Sequence, residues 1–425
     1  MNEHDSEKMS GVLTAEGMVK AGSPEDADLI IINTCSIREK AEQKFYSEVG
    51  KLRQLKADNP SLVIAVSGCI AQQEGAKILR RAPFVDLIFG NQNIKDLPGL
   101  IGSAGIDTKK AATDFADGYE HALLPAEREG AVSSFVNIMY GCDNFCSYCV
   151  VPYVRGREKS RKPEDIITEI EKLVESGCRE VTLLGQNVNS YGRRLDTGCG
   201  FPELLKRLDK LAGLERIRFV TSHPRDLSDE LIEAMAGLPK VCECLHLPVQ
   251  SASDRMLEAM NRGYTFNDYM RKVEKLRNLM PDIALTTDII VGFPGETDED
   301  YEATVKALED IRYEGIFSFK YSKRPNTKAV VMPGHLPEDV KAARLDRVID
   351  LQNAITEENN KAMEESVVEV LVEGGDKTGG QGRLSGKSRG GKTVNFEGDL
   401  SLVGTLVKVK VTEGKKHSLS GKLVV

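Results

Sequence analysis

No stretch of this 425-residue chain approaches the ~20 consecutive apolar residues that a membrane span needs. The opening residues, Met-Asn-Glu-His-Asp-Ser-Glu, lack the basic and apolar regions of a secretory signal. Paired CxxC arms, the usual framework of a structural zinc site, are also missing. After residue 363 the only aromatic side chain is Phe396, so base stacking has little to work with there. These absences exclude a spanning or signal-bearing protein and point to a cytoplasmic one with no membrane partner. The nine cysteines agree, because free thiols scattered at strand ends suit a reducing compartment better than a disulfide framework.

What the chain does have is enough apolar residue, 40%, to fill several cores, and a length that implies about three domains. The formal net charge of −8 hides an asymmetry. Residues 377–425 carry ten Lys/Arg against three Asp/Glu, a local +7, so the remainder sums to −15. A basic tail module on an acidic body points to a delimited polyanion contact, with a merely solvated basic surface as the alternative.

The most informative cluster is Cys142, Cys146 and Cys149, a CxxxCxxC within Tyr140-Gly-Cys-Asp-Asn-Phe-Cys-Ser-Tyr-Cys149. It follows the apolar run Ser134–Met139. Three thiolates leave a metal site open to a further ligand, which is what radical chemistry on an iron–sulfur cluster requires. A zinc knuckle with a distant fourth ligand, or buried unreactive thiols, are the competing readings.

Three segments are expected around it. Residues 1–115 read as a parallel α/β domain. Strand Asp28–Asn33 runs to Cys35 and helix Arg38–Lys56; strand Leu62–Ser67 runs to Cys69 and helix Gln72–Arg81. Both thiols then fall on the carboxyl edge of a parallel sheet, where α/β folds place ligands. A helical stretch, Glu3–Lys20, opens the chain, and the repeat calls for a further strand and cysteine upstream of Met1. Residues 131–361 hold six strand–helix units, with strands at Phe135–Met139, Glu180–Leu184, Arg216–Val220, Cys244–Val249, Ala284–Val291 and Gly315–Tyr321. Six units fall short of the eight that close a barrel, so a partial (β/α)6 barrel with an open side is expected. Residues 363–425 change to β-branched runs, Val367–Val372, Thr393–Phe396 and Leu406–Val411, separated by glycine-rich stretches. That is the pattern of a small antiparallel β-barrel of the kind that binds oligonucleotides. Backbone contact through Arg383, Lys387, Arg389 and Lys392 is expected of it.

With these pieces in place the chain resembles the radical S-adenosylmethionine methylthiotransferases over nearly its entire length. The cluster loop and its trailing arginines, Gly141–Arg157, carry the likeness most specifically. Asn33-Thr-Cys-Ser-Ile-Arg-Glu-Lys-Ala-Glu-Gln43, Ser67-Gly-Cys69, His246-Leu-Pro-Val-Gln-Ser251 and Thr287–Glu296 add to it. The terminal His417-Ser-Leu-Ser-Gly-Lys422 is similar to the end of the family's RNA-binding TRAM domain. The Ser-Ile-Arg-Glu-Lys-Ala-Glu-Gln version of the first motif resembles the branch that methylthiolates carbon 2 of isopentenylated adenosine beside the tRNA anticodon. Its siblings act on threonylcarbamoyl adenosine or on an aspartate of a ribosomal protein.

The resemblance implies a 4Fe–4S cluster on Cys142, Cys146 and Cys149 that chelates S-adenosylmethionine and cleaves it to a 5′-deoxyadenosyl radical. It implies Gly185, Gln186 and Asn187 near the cosubstrate's methionyl group and Tyr148 near its adenine. A strand-end turn is the plain alternative for Gln186 and Asn187. It further implies a second, sulfur-donating 4Fe–4S cluster on three amino-terminal cysteines. Cys35 and Cys69 match two of them, and the third has no counterpart here. That departure agrees with the gap in the strand–cysteine repeat, and a misassigned start codon explains it most simply. Without the third thiol, a sulfur-transfer-defective iron–sulfur RNA-binding protein becomes the rival reading. Ala252 and Asn326 stand where the family tends to have glycine; asparagine tolerates a left-handed turn. Cys178, Cys199, Cys242 and Cys244 read as core thiols, and His223 and His246 as structural hydrogen-bonding groups. The implied partners are tRNA and a reducing protein such as flavodoxin or ferredoxin, with the chain acting as a monomer.

Overall fold

The computed structural model describes residues 1–34, 39–103, 109–114, 132–375 and 382–424. The chain divides into two compact units. One comprises Met1–Glu129, Tyr140–Asp143 and Val150–Arg161; the other comprises Gly130–Met139, Asn144–Cys149 and Lys162–Val425.

The first unit is built on four parallel strands in sequential order: β1 (Leu29–Thr34), β2 (Val63–Gly68), β3 (Leu87–Phe89) and β4 (Lys110–Ala112). The strands alternate between two cores. Ile30, Ile32, Ile64, Val66 and Ile88 face one apolar layer, and Leu29, Ile31, Ala65, Leu87 and Phe89 face the other. A sheet covered on both faces explains the continuous apolar runs that flagged β1 and β2. The opening helix spans Asn2–Ala15, ending before the expected Lys20, where Met18 N–H bonds back to Leu13. The expected helix Gln72–Arg81 is two helices, Cys69–Glu74 and Lys77–Arg81. Gly75, at φ +49°, breaks the chain between them. Cys35 lies outside the described residues. Two short strands, β6 (Met139–Tyr140) and β7 (Lys159–Ser160), flank the cysteine loop in sequence.

In the second unit the six expected parallel strands are present as two three-stranded sheets. One runs β5 (Ser133–Asn137), β8 (Glu180–Leu184), β9 (Arg216–Phe219); the other runs β10 (Cys244–His246), β11 (Ala284–Val291), β12 (Gly315–Lys320). A single parallel bridge, Ile217–Val241, joins them. Regular pairing in β10 stops short of the expected Val249 because the Thr287 hydroxyl intrudes. It donates to Leu247 O at 2.8 Å and accepts from Val249 N–H at 2.9 Å. Helices return between strands, and most pack their apolar stripes on the sheets in one core. Those at Phe266–Leu279 and Asp298–Ile311 start with complete capping boxes, Thr265 with Asp268 and Thr297 with Asp300. The core holds Val181, Leu183, Ile217, Leu245, Leu285 and Ile289 against helix residues such as Leu204, Val273 and Leu308. The architecture is therefore a partial parallel α/β barrel followed by a small closed one. The closed barrel has the order β13 (Val367–Gly375), β14 (Arg383–Ser388), β15 (Thr393–Glu397), β17 (Leu419–Leu423), β16 (Leu406–Gly414).

Candidate functional site

In the larger unit, the loop Asn144–Cys149 is anchored through backbone groups supplied by the turn after helix Asp254–Ala259. Ser147 N–H donates to Met260 O at 3.0 Å, and Asn261 donates to the carbonyls of Asn144 and Phe145 at 3.3 and 3.0 Å. Those bonds hold Phe145 at φ +48°, a conformation that costs energy for a bulky residue. Arg225 donates to the side chain of Asn144. Beside the loop lies Arg262, buried and fully engaged with neutral groups. It donates to Pro248 O at 2.7 Å, to the Tyr264 hydroxyl at 3.2 Å, to the Tyr148 hydroxyl at 3.4 Å and to Cys146 Sγ at 3.4 Å. Burial raises the Tyr148 pKa well above the ordinary phenol value, although the Arg262 cation works the other way. Cys142 and Cys146 are buried and Cys149 is partly exposed.

In the smaller unit, Cys69 follows β2 and packs on Val150 and Val154, just past the cluster motif in sequence. Arg155, one of the trailing arginines, reaches the same place. It is buried, donates to Asp5 at 3.0 Å and to Asn2 Oδ1 at 3.2 Å. Burial opposes its charge, yet the Asp5 carboxylate and the Cys69 sulfur together raise its pKa. Among the described residues no three His, Cys, Asp or Glu side chains surround one metal position. A polynuclear cluster places each thiolate on a separate iron, so its sulfurs stand farther apart than the donors of a single zinc ion. Buried thiols with a fixed cation against one sulfur are a chemically apt donor set for such a cluster.

The strand ends contribute further polar groups. Gly185 ends β8, Gln186 is half-buried, and Asn187 is buried with its amide on Asp226 at 2.6 Å. Asp226 also accepts from Arg193 at 2.6 Å; despite burial, these bonds lower its pKa. His223 Nδ1 accepts from Arg225 N–H at 3.2 Å, which leaves the hydrogen on Nε2. Burial, reinforced by the Arg262 charge, lowers its pKa to about 2, so the ring is neutral. His246 bonds Thr286 Oγ1 at 3.0 Å and faces Asp288 at 3.4 Å. Cys178, Cys199 and Cys242 are buried core thiols, and burial pushes Cys242 up to about 12. Asn326 adopts φ +66°, the left-handed turn anticipated for it.

The four basic residues expected to face RNA divide into two sets. Arg389 forms a two-pronged ion pair with Glu243 at 2.6 and 2.8 Å, and Lys392 pairs with Glu314 and with Asn360. Both charges are committed within the protein. Lys387 bonds Thr393 at 2.7 Å, and Arg383 is exposed at the start of β14. Phe396 is buried inside the small barrel and presents no stacking surface. Arg262 is the residue that sequence reasoning missed. The isolated Asn-Arg-Gly263 after a helix carries no periodic signal, and its sulfur partner is 116 positions away.

Comparison with known proteins follows the same division. Residues 136–308 match the Radical SAM superfamily, residues 1–90 the Uncharacterized protein family UPF0004, and residues 361–424 the TRAM domain. The fold resembles a radical S-adenosylmethionine methyltransferase, TsrM, from Kitasatospora setae, solved with cobalamin and a [4Fe-4S] cluster. That match has a TM-score of 0.56 at 15% identity and covers 77% of this chain and 74% of that one. A cobalamin-dependent S-adenosylmethionine radical enzyme, OxsB, matches with a TM-score of 0.53 at 13% identity, covering 83% of this chain and 53% of the other. The chain is thus a radical SAM protein, with the iron–sulfur cluster and S-adenosylmethionine that this class employs. Curated relatives narrow the class. A tRNA-2-methylthio-N(6)-dimethylallyladenosine synthase of Carboxydothermus hydrogenoformans is 51% identical over 100% of this chain and 97% of its own length. Proteins of the same name from Caldicellulosiruptor saccharolyticus and Thermodesulfovibrio yellowstonii are 49% and 48% identical, again over 100% of this chain, and 90% and 96% of their own lengths. The chain belongs to this tRNA methylthiotransferase family.

Proposed function

We propose that this chain methylthiolates carbon 2 of N6-dimethylallyladenosine beside the anticodon of tRNA. The observation that carries the reading is the CxxxCxxC loop pinned to Met260 and Asn261, with Arg262 against Cys146, in a chain half identical to synthases of that name. Cys142, Cys146 and Cys149 would hold the 4Fe–4S cluster, which with S-adenosylmethionine supplies the one-electron chemistry needed at an unactivated purine C–H bond. The chain's own residues then do the remaining work. Arg262 balances negative charge at Cys146 and orients Tyr148. Asn187 and Asp226 stiffen the turn after β8, where Gly185 and Gln186 would meet a cosubstrate. The neutral His223 adds a buried donor on the same edge.

Cys69 and Cys35 belong, in this reading, to a second cluster that serves as sulfur donor, with Arg155 as the cation beside it. The division into residues 1–115, 131–361 and 363–425 follows the same logic of sulfur donation, radical generation and RNA capture. Arg383 and Lys387 contact the RNA backbone, while Arg389 and Lys392 hold the small barrel in place. A flavodoxin- or ferredoxin-type reductant, a cytoplasmic location and a monomeric state complete the proposal.

Nucleoside analysis of tRNA tests it. A strain lacking the gene should lose the 2-methylthio nucleoside and regain it with the wild-type gene but not with Cys146→Ala. If the missing nucleoside is a threonylcarbamoyl derivative, or if a ribosomal protein loses a methylthio group instead, the substrate assignment falls. Iron content separates one cluster from two: about four irons per chain against about eight, with Cys69→Ala lowering only the latter.

A further inference from the structure

The concave face of the partial barrel carries an aromatic side chain that the fold leaves uncovered. Side chains alternate along β11: Leu285 and Ile289 are buried in the core beneath the helices, so Thr286, Asp288 and Ile290 lie on the opposite, inner face. The parallel registers place His246 beside Thr286 and Phe317 beside Asp288 on that same face. In a closed barrel such positions are filled by neighbouring side chains. Here Phe317 is 54% exposed, and Val220, just past β9, is 36% exposed.

Phe317 is also held in orientation. His246, fixed by Thr286 and Asp288, meets its ring edge-on, with centroids 5.7 Å apart and planes at 75°. His246 and Val220 together line a cavity of about 520 Å³ that also receives Thr286 and Lys392. Ile290, one pleat beyond Asp288 and so about 7 Å along the strand, packs in the apolar cluster that takes in Tyr148. A single exposed apolar side chain on an outer surface would need no explanation. A pre-oriented ring on the inner face of the barrel, one pleat from the strand position of Ile290, which packs in the cluster with Tyr148, is a surface for a flat, apolar ligand.

We propose that Phe317 is a specificity-determining residue that packs against the base and the N6 hydrocarbon group of the target nucleoside, with Val220 as the second apolar wall. The assignment rests on the function proposed above and goes further by naming what on this chain recognises the dimethylallyl group. Two anticodon stem–loop RNAs test it, identical except that one carries N6-dimethylallyladenosine and the other adenosine at the target position. Affinity is read by fluorescence anisotropy with the full chain. Wild type should prefer the dimethylallyl RNA. Phe317→Ala should weaken that complex by about tenfold while leaving the adenosine RNA within about twofold, so the preference collapses. Phe317→Tyr should restore it, and Val220→Ala should reduce it less. Equal thermal midpoints for the variants verify folding. An undiminished preference in Phe317→Ala overturns the assignment, as does a wild-type protein that binds both RNAs alike. The function reading is judged separately by the nucleoside analysis, which does not depend on Phe317.

Discussion

Cys146 and Cys69, one in each unit, each sit beside a buried arginine, and the two arginines are anchored in opposite ways. Arg262 rests on neutral acceptors, a backbone carbonyl and two tyrosine hydroxyls, so the charge it presents to Cys146 is not offset by a bonded carboxylate. Arg155 rests on the Asp5 carboxylate, so part of its field is cancelled before it reaches Cys69. The contrast teaches that position alone does not define a sulfur environment; the counter-charge behind the cation does. A sulfur backed by an uncompensated cation suits a cluster that gathers electrons. One backed by an ion pair experiences a weaker field.

The strongest way to break this comparison is to remove the sulfurs. Cys146→Ala should abolish formation of 5′-deoxyadenosine from S-adenosylmethionine, whereas Cys69→Ala should leave that cleavage intact and eliminate the methylthio product. Chromatography of both products decides it, and 5′-deoxyadenosine from the Cys146 variant would remove the radical assignment. Next come the arginines. Arg262→Leu and Arg155→Leu should each lower stability by about 3 kcal/mol, seen as a reduced denaturant midpoint. Asp5→Asn should recover part of the Arg155→Leu loss by discharging the stranded carboxylate. Among the described residues no carboxylate bonds Arg262, so it offers no equivalent second-site change.

Acidification probes the Arg262 region through its buried His223. With a folded pKa of about 2 against an ordinary 6.5, His223 refuses a proton that the unfolded chain accepts. Stability should therefore fall as pH drops below 6.5, by at most about 1.4 kcal/mol per unit. His223→Gln should flatten that dependence in unfolding curves taken between pH 7 and 5. The smallest effect belongs to Arg157, whose pair with Asp143 is largely exposed. Arg157→Ala should cost under about 1 kcal/mol, with cleavage of S-adenosylmethionine unchanged.

The parallel strands were legible because a doubly covered sheet demands uninterrupted apolar runs, and β8 and β11 fall on the expected residues. Three-residue strands such as β3 and β4 were not, since so short a run has no period to read. In the small barrel, β14 was hidden inside a glycine-rich stretch that resembles a loop. The reason is packing: a Cβ on Gly386 would come within 2.2 Å of Leu371 O, so the strand needs glycine to pair at all. At the site, the cysteine spacing was local and therefore visible. Arg262 against Cys146, Arg155 with Asp5, and Arg389 with Glu243 join residues more than a hundred positions apart. Local pattern carries no trace of such pairs. The same blindness hid the ion pairs of Arg389 with Glu243 and of Lys392 with Glu314.

The attachment of the small barrel to the large one has a consequence for how a target base is chosen. Arg216 and Arg218, on β9, donate to the backbone carbonyls of Lys387, Ser388 and Arg389 at 2.6–2.7 Å. Arg216 also pairs with the Glu369 carboxylate at 2.8 Å, but the bonds to this turn end on main chain, so they do not depend on which side chains the turn carries. An RNA stem held on one barrel then presents the other with whichever nucleotide lies at a fixed offset. A fixed spacing of that kind sets position by geometry, independently of the chemistry of the base.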